Sequence, residues 1–299
     1  MIAPASKVLM VRPCSFQSNS ETAATNTFQQ KVSISYKDLS EIALKEFDEF
    51  RSKLESHGIL VICHQEPGDS KTPDAIFPNN WFAVLPNGQA FLFPMCASNR
   101  RREVQPAWIK PFVRSKPVVD LRSFCAEGVF LEGTGSLILD HNHRMGYACL
   151  SERTQPPAIK AFESHSGYQV FSFAATDLGK VPFYHTNVMM ALGLKTAIVC
   201  LESISLDSDR SKLCDLLAKT GHEIVSITQK QVLNFAGNML FLSNSAGKNY
   251  WVCSERALQS LTGSQRQVLE RDGEFIASPL PTIENVGGGS ARCMLGEIF

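Results

Sequence analysis

Apolar runs of four to six residues, bounded by turn residues, predict strands at 8–11, 59–63, 81–85, 90–94, 136–139, 147–150, 168–173, 197–201, 223–228, 239–242 and 250–253. Pro86-Asn87-Gly88, His141-Asn142-His143 and Asn244-Ser245-Ala246-Gly247 sit between neighbouring runs and turn them into hairpins. The period changes to that of a helix at 40–57, 100–112, 157–166, 208–220 and 255–271, where apolar positions fall on one face. Each of these segments leads to a strand and then a hairpin.

The helix, strand, hairpin unit recurs about every fifty residues, a period that marks repeat architectures. Ala148-Cys149-Leu150-Ser151-Glu152-Arg153 is echoed 103 residues later by Trp251-Val252-Cys253-Ser254-Glu255-Arg256. Cys96, Cys149, Cys200 and Cys253 keep the same beat, 53, 51 and 53 residues apart. They read as equivalent core positions, since cysteine is among the most buried residue types. Five units that return on themselves put 294–298 beside 8–12. Residues 1–299 then form a single domain, an α/β propeller with strands around a central channel and helices outside.

Composition works mainly by exclusion. Hydrophobic residues make up 44% and charged residues 19%, which describes a folded chain rather than a disordered one. Lys plus Arg and Asp plus Glu are 29 each, so no net field recruits nucleic acid or an anionic membrane surface. No apolar run approaches the roughly 18 residues of a membrane span. The start, Met1-Ile2-Ala3-Pro4, lacks the regions of a signal peptide, and the expected location is the cytoplasm. Nine cysteines without a Cys-x-x-Cys pair read as reduced thiols, not as a disulfide framework or a zinc ribbon.

In a radial repeat, residues at one place in successive units face the same central space. Asn80 is followed at that place by Glu132, His185, Asn238 and Cys293, at steps of 52, 53, 53 and 55. Each stands at the entrance to a hairpin strand. A thiol, an imidazole and a carboxylate together are what covalent acyl-type chemistry needs: an attacking group, a proton carrier and a group that orients or protonates. Gly287-Gly288-Gly289-Ser290 ahead of Cys293 lets the backbone approach a ligand and aim N–H groups at developing negative charge.

Four of these segments, in order, resemble motifs of the pentein, or guanidino-group-modifying, superfamily. Ile76-Phe77-Pro78-Asn79-Asn80-Trp81-Phe82 is similar to the deiminase Phe-Thr-Arg-Asp-Pro-Phe. Glu132-Gly133-Thr134-Gly135 is similar to Glu-Gly-Gly-Asp, His185-Thr186-Asn187 to His-Leu-Asp, and 287–294 to the glycine-rich stretch ending in Cys-Met. The resemblance runs from about residue 8 to the end and implies a fivefold propeller with Cys293, His185 and Glu132 as catalytic residues. Ser151-Glu152-Arg153 resembles the deiminase triplet whose arginine holds the substrate carboxylate, and Arg100 or Arg101 resembles a second such arginine. Asp74 is a candidate for the substrate amino group.

The departures bear on substrate. Deiminases carry aspartates at the places of Asn80 and Asn187, and the final Asp of Glu-Gly-Gly-Asp is here Gly135. Carboxylates grip a guanidinium cation, whereas an amide offers one acceptor and two donors to a neutral group. The expected activity is therefore that of the branch resembling citrulline ureidases, often labelled amidinotransferase-like. Cys293 attacks the ureido carbon of a small amino acid, Asn80 and Asn187 bind the ureido group, and no metal or organic cofactor is required. An arginine deiminase or dimethylarginine hydrolase is the alternative, and a non-enzymatic binding propeller the second. The sequence leaves homo-oligomerisation open.

Overall fold

The computed structural model describes residues 2–30, 35–68, 71–114 and 116–299, so Met1, where the signal-peptide reading begins, lies outside the described residues. In chain order the strands are β1 (Lys7–Arg12), β2 (Leu60–Gln65), β3 (Phe82–Val84), β4 (Ala90–Leu92), β5 (Val119–Asp120), β6 (Ile138–Asp140), β7 (Met145–Cys149) and β8 (Gln169–Phe173). They continue with β9 (Met190–Leu192), β10 (Thr196–Val199), β11 (Glu223–Ser226), β12 (Leu240–Ser243), β13 (Asn249–Ser254), β14 (Glu274–Ser278) and β15 (Gly296–Ile298).

These strands make five three-stranded sheets: β15-β1-β2, β3-β4-β5, β6-β7-β8, β9-β10-β11 and β12-β13-β14. In every sheet the first pair is antiparallel and the second parallel. Parallel pairing needs a crossover, and the amphipathic segments supply it. The helix Tyr36–Ser56 carries the chain from β1 to β2 and buries Leu39, Ala43, Phe47, Phe50 and Leu54, one stripe at helical spacing. Ser35 caps its start by accepting from the Asp38 N–H. The expected pairing of the last strand with the first is present: Lys7 faces Ile298 and Leu9 faces Gly296.

Two expected helices are interrupted. The 100–112 segment becomes the short turns Arg100–Glu103, Pro106–Ile109 and Lys110–Phe112, because Pro106 and Pro111 lack the N–H that a continuous helix needs. The 255–271 segment splits into Glu255–Ser260 and Gly263–Glu270, each with its own cap, Ser254 and Thr262. The strands β5, β9 and β14 were not expected from the pattern. Cys149, Cys200 and Cys253 are core residues, whereas Cys96 is only half-buried. Among the described residues no helix is long and apolar enough to cross a membrane.

Candidate active site

Each sheet is entered through one polar residue. Asn80 ends the turn Pro78–Asn80 before β3, Glu132 precedes the turn Gly133–Ser136 before β6, and His185 precedes the turn Thr186–Val188 before β9. Asn238 stands just ahead of β12, and Cys293 lies in the turn Ala291–Met294 before β15. None of the five is more than 3 % exposed.

Glu132 and His185 are in direct contact, Oε2 to Nε2 at 2.7 Å. Glu132 Oε1 accepts from the Cys96 backbone N–H at 2.9 Å, and the Nη1 atoms of Arg153 and Arg100 lie 3.7 and 3.9 Å from Oε2. Burial would raise this carboxyl, but the Arg153 charge, the bond to His185 and the Arg100 charge outweigh it and hold Glu132 down to about 2. Burial pushes His185 down to about 4, against the pull of Glu132. The pair at neutral pH is thus a carboxylate and a neutral imidazole, and the two arginines keep Glu132 ionised. With Nε2–H donated to Glu132, Nδ1 faces the space over Gly135. A methyl at 135 would stand 2.8 Å from that Nδ1 and 2.3 Å from Asn80 Nδ2, which only glycine avoids.

The Cys293 sulfur accepts from two amides, Asn238 Nδ2 at 3.2 Å and Asn187 Nδ2 at 3.5 Å. The glycine run before it is held through its carbonyls. Gly288 O accepts from the Tyr184 hydroxyl at 2.6 Å, and Gly287 O accepts from Gln29 and Asn26 side chains.

The expected arginines divide. Arg153 belongs to the cluster, stacked over the Tyr184 ring at 5.1 Å. Arg100 is buried here too, but its guanidinium is engaged by Glu103 at 2.8 and 2.9 Å, by Asn80 Oδ1 at 2.7 Å and by Phe77 O at 3.1 Å. Arg100 therefore lies in the cluster with Arg153, with Asn80 and Glu103 as its side-chain hydrogen-bond partners. Arg101 is exposed and donates to the carbonyls of Met95 and Cys96, so it lies outside the cluster and braces the turn whose N–H holds Glu132. Asp74 is buried beside Arg100 at 3.8 Å.

Sequence reasoning missed the irregular segment 13–30, which straps across these groups. Asn19 and Thr22 donate to Asp74 Oδ2 at 2.8 and 3.2 Å, Thr22 O accepts from Arg153, and Phe28 packs on Tyr184 and Phe235. Glu103 was missed as well, although its place three residues after Arg100 is the spacing of a short helical turn.

Buried polar atoms without a partner show where a ligand would bind, because leaving them unpaired is costly. Among the described residues Asn80 Nδ2, Asn187 Oδ1 and Asp74 Oδ1 are such atoms. Arg100 donates to Asn80 Oδ1, so the orphan end of that amide is its NH₂.

Among known proteins, the family model described as N,N dimethylarginine dimethylhydrolase, eukaryotic, matches residues 12–299. The N-terminal domain of ArgZ, solved as a variant covalently bound to a reaction intermediate, superposes with a TM-score of 0.75 at 16% identity, covering 98% of this chain and 97% of that one. ArgZ is described as an arginine dihydrolase from the ornithine-ammonia cycle in cyanobacteria. Unliganded AgrE gives 0.75 at 17% identity, covering 98% of this chain and 39% of AgrE. A dimethylarginine dimethylaminohydrolase variant, as its adduct with S-methyl-L-thiocitrulline, gives 0.66 at 14% identity, covering 99% and 100%. No curated protein sequence matches. At these identities the structures establish a shared fold.

Proposed function

Since the chain belongs to the eukaryotic N,N-dimethylarginine dimethylhydrolase family, within the pentein superfamily of guanidino-modifying hydrolases, we propose that it hydrolyses a ureido amino acid, citrulline, through a covalent intermediate on Cys293. The observation that carries the choice of substrate is the orientation of Asn80. Its oxygen is taken by Arg100 and its NH₂ is unpaired, so the bound group must present an acceptor there. A ureido carbonyl does. A guanidinium carries donors only and would face donor against donor, while the ureido NH₂ suits the orphan Asn187 Oδ1.

In this reading Cys293 gives its thiol proton to His185 Nδ1, the thiolate adds to the ureido carbon, and ammonia leaves with that proton, giving a thiocarbamate. His185 then takes a proton from water, which adds to the same carbon and releases the thiol. The resulting carbamate decays to ornithine and carbon dioxide. Glu132 fixes the imidazole and stabilises it when it is charged. Arg153 binds the substrate carboxylate in place of its Thr22 contact, and Asp74 Oδ1 takes the amino group. The like connectivity of the five sheets and the pairing of β15 with β1 inside one of them support a fivefold α/β propeller around the site, with residues 1–299 acting as one domain. Nine free thiols suit a reducing compartment, the cytoplasm.

The family match supports a second reading, in which arginine or a methylated arginine is the substrate. Ammonia release from citrulline and arginine, measured side by side, separates the two. Citrulline turnover is expected, and turnover of arginine alone would sink the ureido assignment. Asn80→Asp should lower kcat/KM for citrulline by about 10- to 100-fold, since it replaces the donor facing the carbonyl.

A further inference from the structure

The mechanism above gives no role to Asn238, yet of all the side chains it makes the shortest hydrogen bond to the nucleophile's sulfur. Its three polar contacts define one orientation. Oδ1 accepts from the Arg292 backbone N–H at 3.1 Å, while Nδ2 donates to the Asn187 backbone carbonyl at 3.1 Å and to Cys293 Sγ at 3.2 Å. Reversing the amide would set NH₂ against an N–H and oxygen against a carbonyl, so the donor end is held on the sulfur.

The turn that delivers Asn238 is built for the purpose. Phe235, three residues earlier, has φ 61, a left-handed conformation that is an outlier for a bulky side chain. Its carbonyl accepts from the Asn238 N–H at 2.8 Å, and its ring lies between Phe28, 5.1 Å away, and the Arg256 guanidinium, 5.5 Å away. A side chain at Gly237 would stand 2.5 Å from the Val188 carbonyl oxygen, so glycine lets this turn lie against the backbone next to Asn187.

From this geometry, and resting on the reading of Cys293 as nucleophile, we infer that Asn238 is a further catalytic residue, whose NH₂ holds the sulfur in place and stabilises it as the thiolate. A neutral donor favours the anion through a charge-assisted hydrogen bond. The titratable groups around the sulfur are Tyr184, which interacts with it electrostatically, and the Glu132, His185, Arg153, Arg100 and Asp74 cluster beyond. Among the described residues, only the amides of Asn238 and Asn187 donate to Sγ.

The test is the pH dependence of Cys293 alkylation by iodoacetamide, followed by peptide mass spectrometry in the wild type, Asn238→Ala and Asn238→Asp. This readout needs no substrate, so it is independent of the ureido assignment. The alkylation midpoint should move up by about one pH unit or more in Asn238→Asp and by less in Asn238→Ala. In the alanine variant kcat should fall about 10- to 100-fold with KM little changed. Unchanged midpoints in folded variants would overturn the inference, as would a rise in KM with kcat intact. Should both variants fail to fold, the side-chain NH₂ resonances of Asn238 in the wild-type protein decide. They should shift on alkylation of Cys293 and titrate with its midpoint, and resonances that do neither would overturn the proposal. A wild-type Cys293 that resists alkylation at every pH would overturn the nucleophile reading, and this inference with it.

Discussion

At the scale of single residues, the site is set by close approaches that tolerate no extra atom. Gly135 shows this, with Asn80 Nδ2 and His185 Nδ1 both inside the radius of a methyl group. Gly135→Ala should therefore leave the fold intact, with little change in Tm, and reduce kcat/KM by about 100-fold, the scale of a roughly 1 Å misplacement. An active Gly135→Ala enzyme would show that these two side chains do not act where the structure puts them. Asn80, Glu132, His185 and Cys293 were legible in the sequence because a repeat places equivalent residues at equivalent strand entrances. Arg100 and Arg101 were not separable, because adjacent positions on a short turn point in different directions. One is buried against Glu103 and Asn80, the other exposed on the carbonyls of Met95 and Cys96.

Among the elements, the strap formed by 13–30 has the least regular structure and the most varied contacts. It reaches Asp74 through Asn19 and Thr22, Arg153 through Thr22, and the turn before Cys293 through Asn26. On the proposed reading the site side chains lie buried beneath it, so substrate entry would require it to lift, and a segment without regular secondary structure opens at lower cost than a helix or strand. Phe28→Ala removes one of its two buried aromatic anchors, the one on Tyr184 and Phe235, and leaves Phe16 in place. That variant should be cleaved faster by protease within 18–30 and show a KM for citrulline raised several-fold, with substrate slowing the cleavage. Equal cleavage rates with and without Phe28 would place the opening elsewhere. The strap was invisible in the sequence because it has neither a helical nor a strand period. Strand β5, with two residues, is too short to carry one. By contrast, the stripe of Tyr36–Ser56 spans several turns and was read to within four residues at its start and one at its end.

For the molecule as a whole, the buried ionic cluster ties stability to pH. His185 sits near 4 in the folded chain against its ordinary 6.5, so between those values the unfolded chain binds more protons and acid favours unfolding. The contribution is fully present above about 6.5 and is lost as pH falls toward 4, worth on the order of 3 kcal/mol. Glu132, near 2 against 4.5, adds a loss of the same sign as pH falls from 4.5 toward 2. Melting curves from pH 7 to 4 should show Tm falling for the wild type and falling less for His185→Gln. Parallel curves would mean that His185 is not held neutral. The five-unit plan was legible because its period survives in the sequence, down to the spacing of Cys149, Cys200 and Cys253.

The pairing of β1 with β15 has a consequence for synthesis. β1 can find β2 early, since the helix Tyr36–Ser56 between them is local, but its other edge pairs with Gly296–Ile298. At about 5–20 residues per second on the ribosome, that edge stays open for on the order of tens of seconds. An unpaired strand edge is a template for aggregation, so the nascent chain is most vulnerable while its first strand waits for its last. Cys293, the proposed nucleophile, sits three residues before β15 and is set in place by the same event that closes the edge. A chain cut short before β15 would be left inactive and prone to stick to its neighbours, which makes such fragments natural clients for chaperones and proteases.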